Sequence, residues 1–419
     1  MTIALVDWNT SGHHRMHMRA FAQTLLASGH RVIVLYPNPD EILDVVNQHY
    51  GVRDFSPAFD SGIHPAANVD SGTINCPVKS GTELPHSKNS SFAAAPFHRV
   101  KYPLWPAPLR HWAETFPIVS NFKKQLAACE RQLGAPCDFV FFNCLYEKQA
   151  WMLRALADAC APRPWSFLYL HANAFPPHTG KNKAVQRLLQ HDRLHSIAVL
   201  DERTADSGQR LTNRPIVVFP DFTTADYEPN NSLERELRAF KGDAPLVLAI
   251  GHLLRNKNYL TLLQAALRPE ARDIKFAFIG ECSRHLRQKA RCLNAPNLYF
   301  KLDYIETDAA YNACIRASDV LFAAYRDFEH SSNTLAKAAA FERPVIVSEG
   351  PLSLMAQRAR EYNLGEIVPQ DDATAVLRAI RKLTSPPQPN QPAASRRWAD
   401  YRERHSLAAL RDAFSKTIF

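Results

Sequence analysis

The chain has no C-x-x-C pair, although it carries eight cysteines in 419 residues. Zinc-ribbon and thioredoxin-like chemistry are therefore excluded, and scattered single thiols fit a reducing compartment better than a disulfide framework. Cys137 and Cys144 flank an apolar run and read as packing residues. Also missing is a run of about 18 apolar residues, which a membrane-spanning helix requires. The opening segment MTIALVDWNT has no basic n-region and only a short apolar run, so it does not read as a signal peptide. A cytoplasmic protein is expected, with peripheral contact on the inner face of a membrane left open. No block of like charges is long enough to mark a nucleic-acid tail, so nucleic acid is not an expected partner. No Asp-x-Asp occurs anywhere, and no metal and no cofactor are expected. The formal net charge is nonetheless +9. That balance suits an anionic partner such as a phosphate-bearing molecule or a lipid phosphate, or serves plain solubility.

What is present alternates. TIALVDW is an apolar run of strand formers, MHMRAFAQTLLASGH has helical spacing, and VIVLY is a second buried strand. This is a βαβ unit, which implies a parallel sheet. From about 51 to 106 the chain is rich in Pro, Ser, Gly and Asn and loses periodicity, so an insertion of low order is expected. Phe97, Trp105 and Trp112 at its end are candidates for an acceptor or lipid contact, or for surface packing. Alternation then resumes through DFVFFN, WSFLYLHA, SIAVLD and PIVVFP and stops near 225. DYEPNNSLE reads as a linker. A second series follows from PLVLAIGH to LSLMAQRAREY, then the Pro-rich break SPPQPNQPAAS and a final amphipathic helix. The expectation is α/β with two Rossmann-like domains facing a cleft: 1–225, 226–395, and a helix at 396–419 crossing back to the first. Ligands of such sheets sit beyond the carboxyl ends of the strands.

Four segments carry candidate chemistry. Ile250-Gly251-His252 ends a strand, and Arg255-Asn256-Lys257-Asn258 opens a helix. Cations beside the free N–H groups of a helix start suit a diphosphate, although a solvated basic turn would look the same. In DFEHSSNTLAKAAAFERPVIVS, residues Ser331, Ser332 and Asn333 sit at a helix start, where unpaired N–H groups favour an anion; they are expected to form an N-cap and to bind the same diphosphate. Gly12-His13-His14 occupies the loop after the first strand, where Gly allows close backbone approach. His171, in FLYLHANAF, follows a buried strand and should emerge at its carboxyl edge, where an imidazole can donate to a hydroxyl or move a proton.

Together these segments resemble retaining glycosyltransferases of family four (group 1), which have the GT-B fold. The resemblance spans nearly the whole chain apart from the insertion. It implies transfer of a sugar from a nucleotide-sugar donor to an acceptor, which could be a glycan, a lipid or a protein. It places Lys257 on the family's diphosphate-binding Lys, and His252 where the family has Arg, with Arg255 able to supply the guanidinium. It puts Glu329 on the glutamate that meets the transferred sugar, and Lys337 on the one that grips the ribose, a reversal of charge. His171 falls where the family often has a His near the donor sugar. Gly280 and Tyr304 fall among the other donor contacts, and Gly12, His13 and His14 in a loop facing the cleft. Two other readings of the fold remain open: an epimerase or phosphorylase, the latter needing a pyridoxal lysine for which Lys337 is a candidate by elimination, and a non-catalytic sugar-binding protein.

Overall fold

The computed structural model describes residues 1–9, 14–42, 91–97, 107–145, 150–169, 183–225, 227–228, 231–305, 307–385 and 396–418. Thirteen strands form two sheets among these residues. The first sheet contains β1 (Thr2–Val6), β2 (Arg31–Tyr36), β3 (Phe92–Pro96), β4 (Phe139–Leu145), β5 (Trp165–Tyr169), β6 (Leu194–Val199) and β7 (Ile216–Val218), in the order β3-β2-β1-β4-β5-β6-β7. The second contains β8 (Leu246–Ile250), β9 (Lys275–Ile279), β10 (Leu298–Lys301), β11 (Val320–Ala323), β12 (Val345–Ser348) and β13 (Gly365–Val368), in the order β10-β9-β8-β11-β12-β13. Pairings such as β1 with β2 and β4, and β8 with β9 and β11, are parallel.

Both orders are those of doubly wound sheets, so helices must cover both faces. In β8, Leu246, Leu248 and Ile250 enter one apolar cluster while Val247 and Ala249 enter the other. That alternation is the period of a pleated strand buried on two sides. The helices are α1 (His14–Ala27), α2 (Ala107–Leu133), α3 (Ala150–Ala159) and α4 (Lys183–Leu189), then α5 (Glu202–Gln209), α6 (Ser232–Lys241), α7 (Tyr259–Ala266), α8 (Arg284–Cys292), α9 (Asp308–Ala317), α10 (Asn333–Ala340), α11 (Leu354–Glu361), α12 (Ala373–Thr384), α13 (Trp398–Arg404) and α14 (Leu407–Ile418). No described helix is long and apolar enough to cross a membrane.

The chain divides into two compact units, Met1–Leu168 with Gln190–His195, and Tyr169–Leu189 with Ser196–Phe419. The second therefore takes in α5 and β7 together with α13 and α14. Within it, α14 is held against β7: Phe219 and Phe414 meet edge to face at 5.0 Å, and the Ser196 hydroxyl donates to Thr417 O at 2.9 Å. In the first unit, β3 lies inside the stretch from about 51 to 106 that reads as an insertion of low order. FAAAP pairs in register with β2, from Val32↔Phe92 to Tyr36↔Pro96. Three alanines carry no alternation, so hydrophobic periodicity gives no sign of an edge strand there. Phe97 just beyond it is fully buried and makes edge contacts with Trp8 and Phe122, which makes it core and not an acceptor contact. Trp105 and the side chain of Trp112 lie outside the described residues. Cys137 is buried, as the packing reading expects, and the side chain of Cys144 is not described.

Beyond β8 and β9 the chain crosses itself closely. Gly251 N donates to Ile279 O at 2.9 Å, and a Cβ on Gly280 would stand 2.2 Å from Gly251 O. Gly280 also has φ +117°, which L side chains rarely adopt. Its lack of a side chain is thus demanded by the neighbouring backbone. We expect Gly280→Ala to lower stability by about 2–4 kcal/mol, read as a shift in the urea midpoint. A loss below about 0.5 kcal/mol, the range of neutral surface changes, would refute the close approach.

Candidate functional site

In the second sheet the strand order reverses between β8 and β11, so the loops after these two strands flank the switch point where ligands of such sheets bind. The loop after β8 is short and well tied. Leu253 pairs with Cys282 in an isolated bridge, and a single 3-10 turn, Arg255–Lys257, runs into Asn258 at φ 53° and then α7. The loop after β11 is joined to it by Arg326 N, which donates to Asn256 O at 2.8 Å.

Lys257 emerges from that turn half-buried, with its ammonium 3.6 Å from the centroid of the Tyr325 ring and 5.9 Å from that of Phe328. It makes no ion pair with a carboxylate among the described residues. Tyr325 is buried, and its hydroxyl lies 2.9 Å from Thr334 Oγ1. Ser332 caps α10, with its side chain accepting from Thr334 N and donating to Thr334 Oγ1. Burial pushes the Tyr325 phenol up, but the Lys257 ammonium and hydrogen bonds from Thr334, Lys257 and Ser332 outweigh it and leave the pKa below its ordinary value. Lys257 and Ser332, expected on one anion, are thus linked through one tyrosine: Lys257 lies over its ring, and Ser332 reaches its hydroxyl by way of Thr334.

Ser331 and Asn333 are engaged elsewhere. The Ser331 hydroxyl donates to Asp221 Oδ2 at 2.6 Å, and Asn333 Nδ2 reaches Asp221 Oδ1 at 3.3 Å and Phe222 O at 2.6 Å. Asp221 is itself buried, and its own N–H donates to His405 Nδ1 at 2.9 Å. That contact fixes the imidazole with Nδ1 unprotonated. Burial then holds His405 down at about 4, against the pull of Asp221. An internal carboxylate therefore occupies two of the three helix-start side chains expected on the diphosphate. Asp221 gives no periodic signal in FPDFTT; only its place just past a strand end and a proline hints at a role.

The remaining candidates separate. Arg255 is exposed and has no side-chain partner among the described residues. His252, also exposed, stands 3.9 Å from Glu281 Oε2. Glu329 is half-buried, and its carboxylate makes no hydrogen bond or ion pair among the described residues. Tyr304 is 66% exposed. Lys337 lies in the core, only 4% exposed, donating to Asn312 Oδ1 at 2.7 Å with its ammonium 5.1 Å from the Tyr311 ring centroid. Its side chain joins α10 to α9 in place of presenting a charge to solvent.

The first sheet reverses between β1 and β4, and there too polar groups meet. Asp7 follows β1 and Asn143 lies in β4. Asn143 Nδ2 donates to Asp7 Oδ2 at 2.5 Å, and His14 Nδ1 lies 2.7 Å from the same oxygen. Asn9 N–H takes Asp7 Oδ1 at 2.9 Å. His14, expected on an open loop, is instead 5% exposed as the first residue of α1. Asp7 and Asn143 were not singled out in the sequence, although each ends an apolar run with a polar residue, which is the available signal. Gly12, His13 and His171 lie outside the described residues.

Residues 244–385 match the family described as Glycosyl transferases group 1, a segment containing both loops of the second switch point. No curated protein matches the chain. Among solved structures it resembles trehalose-6-phosphate from E. coli bound with UDP-2-fluoro glucose, with a TM-score of 0.65 at 12% identity over 100% of this chain and 99% of that one. It resembles Anabaena Alr3699/HepE in complex with UDP and glucose, with a TM-score of 0.63 at 12% identity, covering 100% and 99%. Sucrose-phosphate synthase from Thermosynechococcus elongatus gives 0.56 at 16% identity, covering 99% and 94%. The fold is that of the GT-B glycosyltransferases, as the sequence led us to expect.

Lys337 provides a pH test of this packing. Burial lowers its pKa from 10.5 to about 8, against the pull of Asp308. Between those values the unfolded chain binds more protons than the folded one, so stability contributed by this group rises with pH across the window. Below about 8 the full cost of burying the charge is present. The stability of the wild type relative to Lys337→Met should therefore increase by about 1–3 kcal/mol between about pH 7 and about pH 10. Urea titrations at the two pH values decide it; a flat difference would mean the ammonium is solvated.

Proposed function

We propose that this protein is a glycosyltransferase that moves a sugar from a nucleotide-sugar donor to an acceptor, with the donor held by the second unit. One observation carries the reading: an uncompensated Lys257 ammonium and the start of α10 at Ser332 converge at the switch point of a doubly wound sheet. Loss of the sugar leaves negative charge on the nucleoside diphosphate. Preplaced cations and free N–H groups stabilise that charge as it develops and need no reorganisation at that moment. Lys257 supplies the fixed charge, and exposed Arg255 is free to swing onto the same phosphates. The family match over residues 244–385 and the UDP and UDP-sugar complexes among the similar structures support a nucleotide-linked donor.

Glu329 follows the same loop, and we assign its free carboxylate to the transferred sugar, with retention of anomeric configuration by the resemblance. His171 is its proposed companion. The Asp7, His14 and Asn143 cluster at the first unit's switch point is the proposed acceptor side, together with Gly12 and His13. Ser332 remains a diphosphate ligand in this scheme, through backbone N–H groups; Ser331 and Asn333 would have to leave Asp221 to join it. Lys337 leaves the ribose without the expected carboxylate, so the nucleoside must be held by other groups, Gly280 and Tyr304 among the candidates. The same burial argues against Lys337 as a pyridoxal lysine, since a Schiff base needs an open approach. We infer cytoplasmic work, on the strength of thiols that all stay unpaired among the described residues.

Calorimetry with UDP, GDP and their glucose and mannose derivatives tests the assignment. Lys257→Ala should weaken binding of whichever nucleotide the wild type takes by about ten- to a hundredfold, the value of a charge-assisted hydrogen bond. Glu329→Gln should bind that nucleotide normally yet lose at least about a hundredfold in turnover. Equal affinity in Lys257→Ala would remove the diphosphate site. Absence of binding to every member of the panel would favour the non-catalytic reading.

A further inference from the structure

Glu329 has a carboxylate that nothing holds, on a loop whose backbone is held firmly. The loop carries Asp327 at φ 48°, a left-handed conformation that costs energy in a residue other than glycine. Such a segment keeps its shape only where its surroundings impose it. At Glu329 two groups do so, both on its carbonyl: Leu354 N donates at 3.3 Å, and Arg203 Nη2 donates at 2.8 Å. Arg203 Nη1 meanwhile donates to Leu352 O at 2.7 Å. One guanidinium therefore joins the Glu329 loop to the turn that precedes α11. No other described side chain bonds the Glu329 backbone.

The mount of this guanidinium is rigid. Asp201 caps α5, accepting from Thr204 N at 2.9 Å and Thr204 Oγ1 at 2.8 Å. Glu202, the next residue, pairs with both Arg358 of α11 and Arg404 of α13. Arg358 is buried and also binds Glu361 at 2.6 Å. The first turn of α5 is thus pinned to α11 and α13, and Arg203 projects from it to two carbonyls. A planar fork of N–H donors spans two acceptors in fixed geometry, which a lysine ammonium does not do.

We propose that Arg203 is a positioning residue that fixes the Glu329 loop and so sets where the Glu329 carboxylate stands for catalysis. The assignment of Glu329 rests on the transferase reading above; the clamp itself does not. In that reaction a shift of about 1 Å in a reacting group costs on the order of a hundredfold in rate. Arg203 touches no part of the diphosphate cradle at Lys257 and Ser332, so donor affinity should be indifferent to it.

Two measurements on the full-length protein separate the clamp from the function. In the free protein, hydrogen exchange of Arg203→Ala should be at least about tenfold faster over 327–330 and at Leu354, with the amides of α10, β8 and β11 unchanged. Unchanged protection at Leu354 overturns the proposal whether or not the protein is an enzyme, and general loss of protection overturns it in favour of a structural role. With the sugar nucleotide of the panel above that the wild type hydrolyses or transfers, Arg203→Ala should lose about ten- to a hundredfold in kcat with KM within about twofold. Arg203→Lys should recover only part of the rate, and added guanidinium should restore more of it to Arg203→Ala. A rise in KM that accounts for the whole loss, or wild-type kcat in Arg203→Ala, overturns the positioning role. If the wild type turns over no donor, the transferase reading fails while the exchange experiment still judges the clamp.

Discussion

The ammonium of Lys257 rests on the face of Tyr325, and much of the second unit is arranged so that no carboxylate neutralises it. A cation over an aromatic ring gains on the order of 1 kcal/mol, far less than it would give up to a buried carboxylate. It therefore stays available to an anion from outside. The ring belongs to the loop after β11, the ammonium to the turn after β8, and the two strands are neighbours only because the sheet is doubly wound. The Tyr325 hydroxyl extends the link to α10 through Thr334. Charge, ring and helix start are thus one unit, and the depressed phenol pKa is its electrostatic signature.

Around that free charge, other polar groups are consumed internally. Asp221 takes Ser331 and Asn333, Glu202 takes Arg358 and Arg404, and Lys337 takes Asn312. Buried polar groups need partners, so most of those near a ligand site are not ligands. Exposed Arg255, half-buried Lys257 and half-buried Glu329 stand out by having no such commitment. Availability, more than residue type, distinguishes the candidate ligands from the groups that support them.

The fold was open to reading because its signal is local. Buried parallel strands are short apolar runs, helices keep their period, and their alternation leaves few topologies. The strand FAAAP escaped, since alanine carries neither alternation nor β-branching. Of the candidate site, the places of Lys257 and Ser332 were legible from a basic turn and a capping run beyond strand ends. Asp221, Arg203, Asp7 and Asn143 were not, because what they do depends on partners as far as 184 residues away in the chain. Lys337 shows the same limit from the other side: its charge was plain in the sequence, and its inward direction was not. Gly280 was picked out for a ligand, whereas the backbone of Gly251 already requires it.

The tie between Ser196 and Thr417 spans 221 residues, and that between Glu202 and Arg404 spans 202. Contacts of such sequence separation close late, after the intervening chain has folded or collapsed. During synthesis, residues 196–225 leave the ribosome long before the helices that will cover them. The apolar surface beside β7 stays uncovered until α14 has been made. A nascent chain that has not yet released α14 is therefore an expected client for chaperones, and loss of that helix would expose the same surface permanently.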